Sequence, residues 1–141
     1  DADVGSALVS SDIPRVISFT GSATVGRIIT QTAGIKKISL ELGGNAATFV
    51  DKTADISSAA KKCAVGAFVN SGQVCISLQR IYVHDDIYGA FCDALKAEVA
   101  TLKLGNPMDE EVFMGPLINE DSAVRAKKWV ESAKEEGQVC L

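Results

Sequence analysis

One cysteine lies in a polar, glycine-containing stretch and is the side chain of this sequence best suited to act as a nucleophile. Cys75 follows the run Ser71-Gly72-Gln73-Val74, whereas Cys63 and Cys92 fall in apolar helical patterns typical of buried residues. A thiol in a loop is accessible, and nearby backbone amides stabilise its thiolate form. The same pattern also fits an inert loop cysteine. Covalent catalysis by Cys75 is therefore a hypothesis about its surroundings.

A carboxylate at the end of a predicted strand is the second candidate for chemistry. Glu41 opens the sequence Glu41-Leu42-Gly43-Gly44, directly after a β-rich segment. Because α/β folds bind ligands at the carboxyl ends of parallel strands, we expect Glu41 near a ligand. A half-buried carboxylate there would suit a general base. The alternative is a glutamate that forms a salt bridge or points to water.

A glycine-containing turn between a predicted strand and a predicted helix is the third candidate. Thr20-Gly21-Ser22 precedes the helix, and helix N-termini favour phosphate groups through their free amides and dipole. Only Gly21 and Gly26 are present, so the pattern is not the dinucleotide-binding G-x-G-x-x-G. The alternative is an ordinary strand-to-helix turn in which Ser22 caps the helix.

The single histidine is the only possible partner for a cysteine–histidine dyad. His84 stands beside Asp85-Asp86 at the end of a predicted strand, a pattern more typical of a solvated turn. With one histidine and no Cys-x-x-Cys spacing, the sequence predicts no metal site.

The alternation of strand and helix patterns predicts an α/β fold, a mostly parallel sheet with flanking helices. Residues 15–42 have the size of a βαβ unit. Asp55 and Asn119 are predicted helix N-caps, and Gly34 and Gly137 are predicted helix stops. The predicted helices span residues 3–10, 22–32, 55–68, 87–102 and 119–136. The predicted strands span residues 15–19, 37–42, 46–50 and 80–84. Residues 103–118 are predicted to form a loop, and residues 139–141 are predicted to begin a further strand.

Composition limits the classes of partner. The 141 residues carry a net charge of -4, and their lysine pairs are interleaved with acids, so we expect no nucleic-acid partner. No apolar run reaches the length of a membrane span and no signal peptide is recognisable, so we expect no membrane partner. Cysteines without paired spacing are simplest to explain as reduced thiols in the cytoplasm.

Taken in order, the three motifs resemble the aldehyde dehydrogenase superfamily, which uses NAD or NADP. The resemblance covers nearly the whole chain and rests on Phe19-Thr-Gly-Ser22, Glu41-Leu-Gly-Gly44 and Ser71-Gly-Gln-Val-Cys75, with Gly105-Asn-Pro107 and Met114-Gly-Pro-Leu117 further along. It implies that residues 1–43 are the C-terminal part of the cofactor-binding domain. It implies that residues 44–141 are the N-terminal part of the catalytic domain.

The resemblance also implies a mechanism. Cys75 attacks the aldehyde as nucleophile, its amide stabilises the oxyanion, hydride passes to the nicotinamide, and Glu41 activates the water that hydrolyses the thioester. The cofactor contacts carried over from the family are Thr20, Gly21, Ser22, Val25, Leu42 and Gly43. The expected substrate is a small aldehyde, and the parent protein is expected to be a homodimer or homotetramer.

By the same resemblance the chain is a fragment truncated at both ends. A second oxyanion donor and two ribose contacts of the family fall outside it, so we expect the isolated chain to be inactive. Two alternatives remain: a naturally truncated structural or interaction protein, and a thiol esterase that needs no NAD. The Cys75-Ile76-Ser77 stretch and its continuation to Val83 resemble the branch that oxidises lactaldehyde, glyceraldehyde and semialdehydes.

Overall fold

The computed structural model describes residues 2–137, and the predicted strand at 139–141, with Cys140, lies outside them. The predicted α/β class is confirmed, with every strand pair parallel. The elements are α1 (Ala2–Ser10), β1 (Val16–Thr20), α2 (Ala23–Thr32), β2 (Lys37–Glu41), β3 (Ala46–Val50), α3 (Ile56–Phe68), β4 (Leu78–Val83), α4 (Tyr88–Ala100) and α5 (Glu120–Glu136), with a tight turn at Val69–Gly72 and a single 3-10 turn at Asp85–Ile87.

The chain divides into two compact units, Asp1–Gly44 and Asn45–Leu141. Within residues 2–137, each unit contains one two-stranded parallel sheet, β1–β2 in the first and β3–β4 in the second. The family resemblance predicts a domain boundary between residues 43 and 44, and the assignment of those parts to cofactor binding and catalysis stays a prediction.

The first unit is a strand–helix–strand arrangement. Strands β1 and β2 alternate exposed and half-buried residues, so Ile17 and Phe19 lie beside Ile38 and Leu40 on one face. Helix α2 buries Ile29 and ends at Thr32, and the predicted stop residue Gly34 follows the C-cap Ala33 with a φ of 67°. A left-handed residue after a helix is most easily supplied by glycine, which has no Cβ to clash.

The second unit has the larger core. Strands β3 and β4 pair from Ala46 to Val50, and helices α3 and α4 pack against each other. Asp55 caps α3 as predicted, because its Oδ1 accepts the Ser58 N–H at 2.7 Å. The buried core cluster contains Val50, Ala60, Cys63 and Phe91.

The segment between α4 and α5 is irregular, as predicted, but backbone hydrogen bonds fix its conformation. The Lys103 carbonyl accepts the N–H groups of Phe113 at 2.9 Å and Met114 at 3.0 Å, and Leu104 forms a parallel bridge with Met114. Helix α5 then begins after Asn119, whose side chain accepts the Ser122 N–H at 2.8 Å. Residues 115–118 are therefore held between two fixed points.

Candidate active site

Cys75 lies in the short connection between α3 and β4, and its side chain is exposed. Two hydrogen bonds made by Ser77 tie this connection to residues that precede the cysteine. Ser77 donates its N–H to the Val74 carbonyl at 2.9 Å, and its buried hydroxyl donates to the Ala67 carbonyl at 3.2 Å. The thiol is thus presented to solvent on a loop whose base is anchored to the end of α3.

The backbone before Cys75 is left-handed over three successive residues. Asn70, Ser71 and Gly72 have φ values of 51°, 57° and 74°. The turn is held by Gln73, whose N–H donates to the Asn70 carbonyl at 3.1 Å and whose Nε2 donates to the same oxygen at 3.2 Å. Left-handed conformations are costly for most residues, although asparagine and glycine tolerate them well. From the sequence this stretch is predicted only as a polar loop.

Two further hydrogen bonds join this loop to the segment before α5. The Ser71 hydroxyl donates to the Gly115 carbonyl at 2.7 Å. The Ile118 N–H donates to Oε1 of Gln73 at 2.8 Å. In the sequence, Ser71 and Gln73 are recognised only as part of the motif that ends at Cys75. The one sequence signal for this contact is that both segments belong to the family resemblance.

The three described cysteines differ in accessibility, and all are free. Cys63 is buried as predicted, and this burial raises the pKa of its thiol. Cys92 is only half-buried, so the prediction that it is a core residue is wrong. Because successive helical residues point about 100° apart, Phe91 takes the core-facing direction and Cys92 is turned aside. Cys75 is the exposed thiol of the three.

In the first unit, the structure brings together the ends of β1 and β2. Thr20 is the register partner of Glu41, and the Gly21 N–H donates to the Glu41 carbonyl at 3.0 Å. The Glu41 side chain is exposed in this chain, so the expectation of a half-buried carboxylate is wrong. Lys37, Ser39 and Glu41 alternate with the half-buried positions of β2, which places Glu41 on the exposed face.

The strand-to-helix turn combines both interpretations offered by the sequence. Ser22 is the N-cap of α2, since its hydroxyl accepts the Val25 N–H at 3.2 Å. The amides of Ala23 and Thr24 precede the first intrahelical donors, so they are available to an acceptor outside the helix. A helix N-terminus with such donors fits a phosphate of NAD or NADP.

The remaining residues assigned to the cofactor by resemblance surround this turn. Thr20, Gly21, Ser22, Val25 and Gly43 are exposed, and Leu42 is half-buried. Leu42 packs against α2 at Gly26, where an added Cβ would lie 2.8 Å from Leu42 Cδ2. Gly26 therefore allows the close approach of α2 and the chain after β2. The roles of these six residues stay predictions.

His84 is part of a solvated turn, as the sequence indicates. Its exposed side chain accepts the Asp86 N–H at Nδ1, at 3.2 Å, and lies 3.7 Å from the Asp86 carboxylate. Across residues 2–137 no three His, Cys, Asp or Glu side chains are grouped so that they could hold a metal ion. No helix in the same range is long and apolar enough to cross a membrane.

Comparison with known proteins gives a consistent family. The model of the aldehyde dehydrogenase family matches residues 1–141. The chain is 48% identical over 136 residues to the 3-sulfolactaldehyde dehydrogenase of Priestia megaterium, covering 96% of this chain and 28% of the relative. It is 44% identical over 140 residues to a benzaldehyde dehydrogenase of Bacillus subtilis, covering 98% of this chain and 29% of the relative.

A solved structure agrees in fold and sequence. The glyceraldehyde-3-phosphate dehydrogenase GapN of Methanocaldococcus jannaschii, complexed with NADP, superposes with a TM-score of 0.94 at 42% identity. The match covers 98% of this chain and 30% of that one. This chain thus spans less than a third of the length of the proteins it matches. The chain belongs to the aldehyde dehydrogenase family.

Proposed function

We propose that this chain carries the nucleophile and the general base of an NAD(P)-dependent oxidation of an aldehyde to a carboxylic acid. The observation that carries the proposal is the presentation of Cys75, an exposed thiol on a loop anchored at both sides, in a chain of the aldehyde dehydrogenase family. An accessible thiol beside backbone amides is what nucleophilic attack on a carbonyl requires.

In the proposed reaction, the Cys75 sulfur forms a bond to the aldehyde carbon and gives a thiohemiacetal. The backbone N–H of Cys75 donates to the oxyanion that develops on the former carbonyl oxygen. NAD or NADP, when bound, supplies the hydride acceptor that allows the thiohemiacetal to become a thioester on Cys75. Glu41 then takes a proton from water, which attacks the thioester and releases the acid and the free thiol.

The division of labour between the two units follows the same proposal. Residues 1–43 contribute to the cofactor site through the turn at Thr20-Gly21-Ser22, with Val25, Leu42 and Gly43. Residues 44–141 contribute the nucleophile. Support comes from the compact units, which divide after Gly44, and from the free amides at the start of α2.

We further propose that residues 1–141 alone do not support turnover. The family resemblance assigns a second oxyanion donor and the ribose contacts to positions outside these residues. Loss of one oxyanion donor alone costs about 100- to 1,000-fold in rate. Assembly into a homodimer or homotetramer and a cytoplasmic location remain predictions for the parent protein.

For the substrate we propose a short 2-hydroxyaldehyde. The names of the Priestia relative and of the Methanocaldococcus structure both denote three-carbon aldehydes with a hydroxyl beside the aldehyde carbon. The Bacillus relative is named for benzaldehyde, so a comparison of lactaldehyde with benzaldehyde tests this part of the proposal.

The test uses the protein encoded by the complete open reading frame that contains these residues. Reduced cofactor is followed by absorbance with each aldehyde and with NAD or NADP. We expect Cys75→Ser to abolish turnover, and Cys92→Ser, a matched change at a half-buried thiol, to leave it unaltered. We expect Glu41→Gln to slow turnover by about 100- to 10,000-fold and to leave an acyl group on Cys75 that mass spectrometry detects.

Two results would contradict the proposal. Turnover that persists in Cys75→Ser removes the assigned nucleophile. Ester hydrolysis by Cys75 with no aldehyde oxidation under either cofactor favours the thiol esterase instead.

A further inference from the structure

The loop that carries Cys75 depends on a distant segment for its shape. Ser71 and Gln73 bond to Gly115 and Ile118, which lie more than forty residues further along the chain. Both bonds leave the loop within four residues of the thiol. The Ser71 hydroxyl donates a hydrogen bond to the distant segment, and the Gln73 side chain accepts a hydrogen bond from it.

The distant segment is a firm anchor. Met114 is held by the Lys103 carbonyl and by the Gly105 N–H, which donates to its carbonyl at 3.1 Å. On the other side, Asn119 caps α5. Pro116 lies between the two contact points, and its ring fixes one backbone angle. The Gly115 carbonyl and the Ile118 N–H are thus presented by backbone that has little freedom to follow the loop.

Gln73 uses both ends of its amide. Its Oε1 accepts the Ile118 N–H, while its Nε2 donates to the Asn70 carbonyl. One side chain therefore couples the left-handed turn to the anchor. Of the non-glycine residues in this turn, Ser71 is the one for which the left-handed backbone is costly, so its conformation persists only where the surroundings hold it. Removal of these bonds would allow the turn to relax, and this turn leads directly into Cys75.

We propose that Ser71 and Gln73 are positioning residues for Cys75, acting through the Gly115 carbonyl and the Ile118 N–H. This inference rests on the proposed function for its catalytic meaning, because it assigns the two residues to the orientation of the nucleophile. They touch neither the substrate nor the reacting atoms. Their contribution is to keep the sulfur and the Cys75 amide in the geometry that carbonyl attack needs.

The test uses Gln73→Met, which keeps the length of the side chain and removes both hydrogen bonds. Gln79→Met is the matched control, since Gln79 is exposed on β4 and its side chain makes no hydrogen bond within residues 2–137. Ser71→Gly removes the hydroxyl with a residue that accepts the left-handed φ. In the full-length protein we expect Gln73→Met to lower kcat by about 10- to 100-fold with KM nearly unchanged.

A second readout is the rate of iodoacetamide labelling at Cys75, followed against pH in the same variants. We expect Gln73→Met and Ser71→Gly to change the rate or the pH profile, and Gln79→Met to leave both as in the parent. Cys63 reports folding in each sample, because its buried thiol is labelled only slowly while the second unit is folded. A variant in which Cys63 becomes reactive is replaced by the other one.

The outcomes separate this inference from the proposed function. Unchanged kcat and unchanged Cys75 labelling in both variants overturn the positioning role, whether or not the protein oxidises aldehydes. Altered labelling without aldehyde turnover in the parent supports positioning of the thiol and overturns the proposed function. A rise in KM with kcat unchanged also overturns the positioning role, because it indicates a binding contact.

Discussion

Replacement of Phe91 tests whether Cys63 reports the integrity of the second unit. Phe91 is 1% exposed and packs in one cluster with Val50, Ala60 and Cys63. Truncation of a buried phenylalanine to alanine costs about 3–5 kcal/mol. Alanine recovers about 0.5 kcal/mol through its better helix propensity in α4. We expect Phe91→Ala to lower the free energy of unfolding by about 2.5–4.5 kcal/mol.

The loss of free energy of unfolding should raise the rate at which the buried Cys63 thiol is labelled. A unit of this size has a free energy of unfolding of about 5–14 kcal/mol, so the variant remains folded. When reclosing is fast, labelling of Cys63 follows the open population, which rises about 70- to 2,000-fold at 1.36 kcal/mol per decade. Limiting iodoacetamide with mass spectrometry measures Cys63 and the exposed Cys75 in the same sample. Cys75 should change little.

Phe49→Ala is the matched control, because this phenylalanine is 78% exposed and only stacks on Tyr82, with ring centroids 5.0 Å apart. Loss of such a pair costs about 0.5–1.5 kcal/mol, so Cys63 labelling should rise by only about 2- to 13-fold. Equal labelling of Cys63 in the two variants would refute the argument, since it would show that burial of Phe91 does not protect this thiol.

Two further predictions concern a helix cap and a surface carboxylate. Asp55→Ala should lower the free energy of unfolding of the second unit by about 1 kcal/mol, and Asp55→Asn by much less, in urea titrations; equal losses would contradict the assigned Ser58 N–H bond. The Thr53 hydroxyl and N–H hold the pKa of Asp51 below its ordinary value. The stabilisation from Asp51 is therefore complete above its unfolded-state pKa and is lost as the pH falls through its folded-state pKa. Thr53→Val should raise the Asp51 pKa in a carboxyl NMR titration, and an unchanged value would contradict this cause.

The parts of the fold that depend on local signals were predictable from the sequence. Ser22, Asp55 and Asn119 each cap the helix that was expected after them, because a short polar side chain satisfies an amide only a few residues away. Gly34 stops α2 for an equally local reason, its positive φ. Strand pairing was also predictable in type, since strand, helix and strand in this length favour a parallel pair.

The parts of the site that depend on distant contacts were not predictable. The bonds from Ser71 and Gln73 to Gly115 and Ile118 have no local signature, because their partners are backbone groups, which every residue carries. The exposure of Glu41 could have been predicted from the alternation along β2. Its place at the strand end favours a half-buried ligand site instead, and in this chain the alternation is the stronger signal.

Parallel pairing in the second unit has a consequence for synthesis on the ribosome. Strand β3 leaves the exit tunnel about 30 residues before its partner β4, which at about 5–20 residues per second is a delay of about 2–6 s. Helix α3 forms far faster than this. We expect α3 to stand beside an unpaired β3 until β4 arrives. The cluster around Cys63 then closes last, when α4 delivers Phe91. During that interval the nascent chain offers apolar surface that a chaperone can hold.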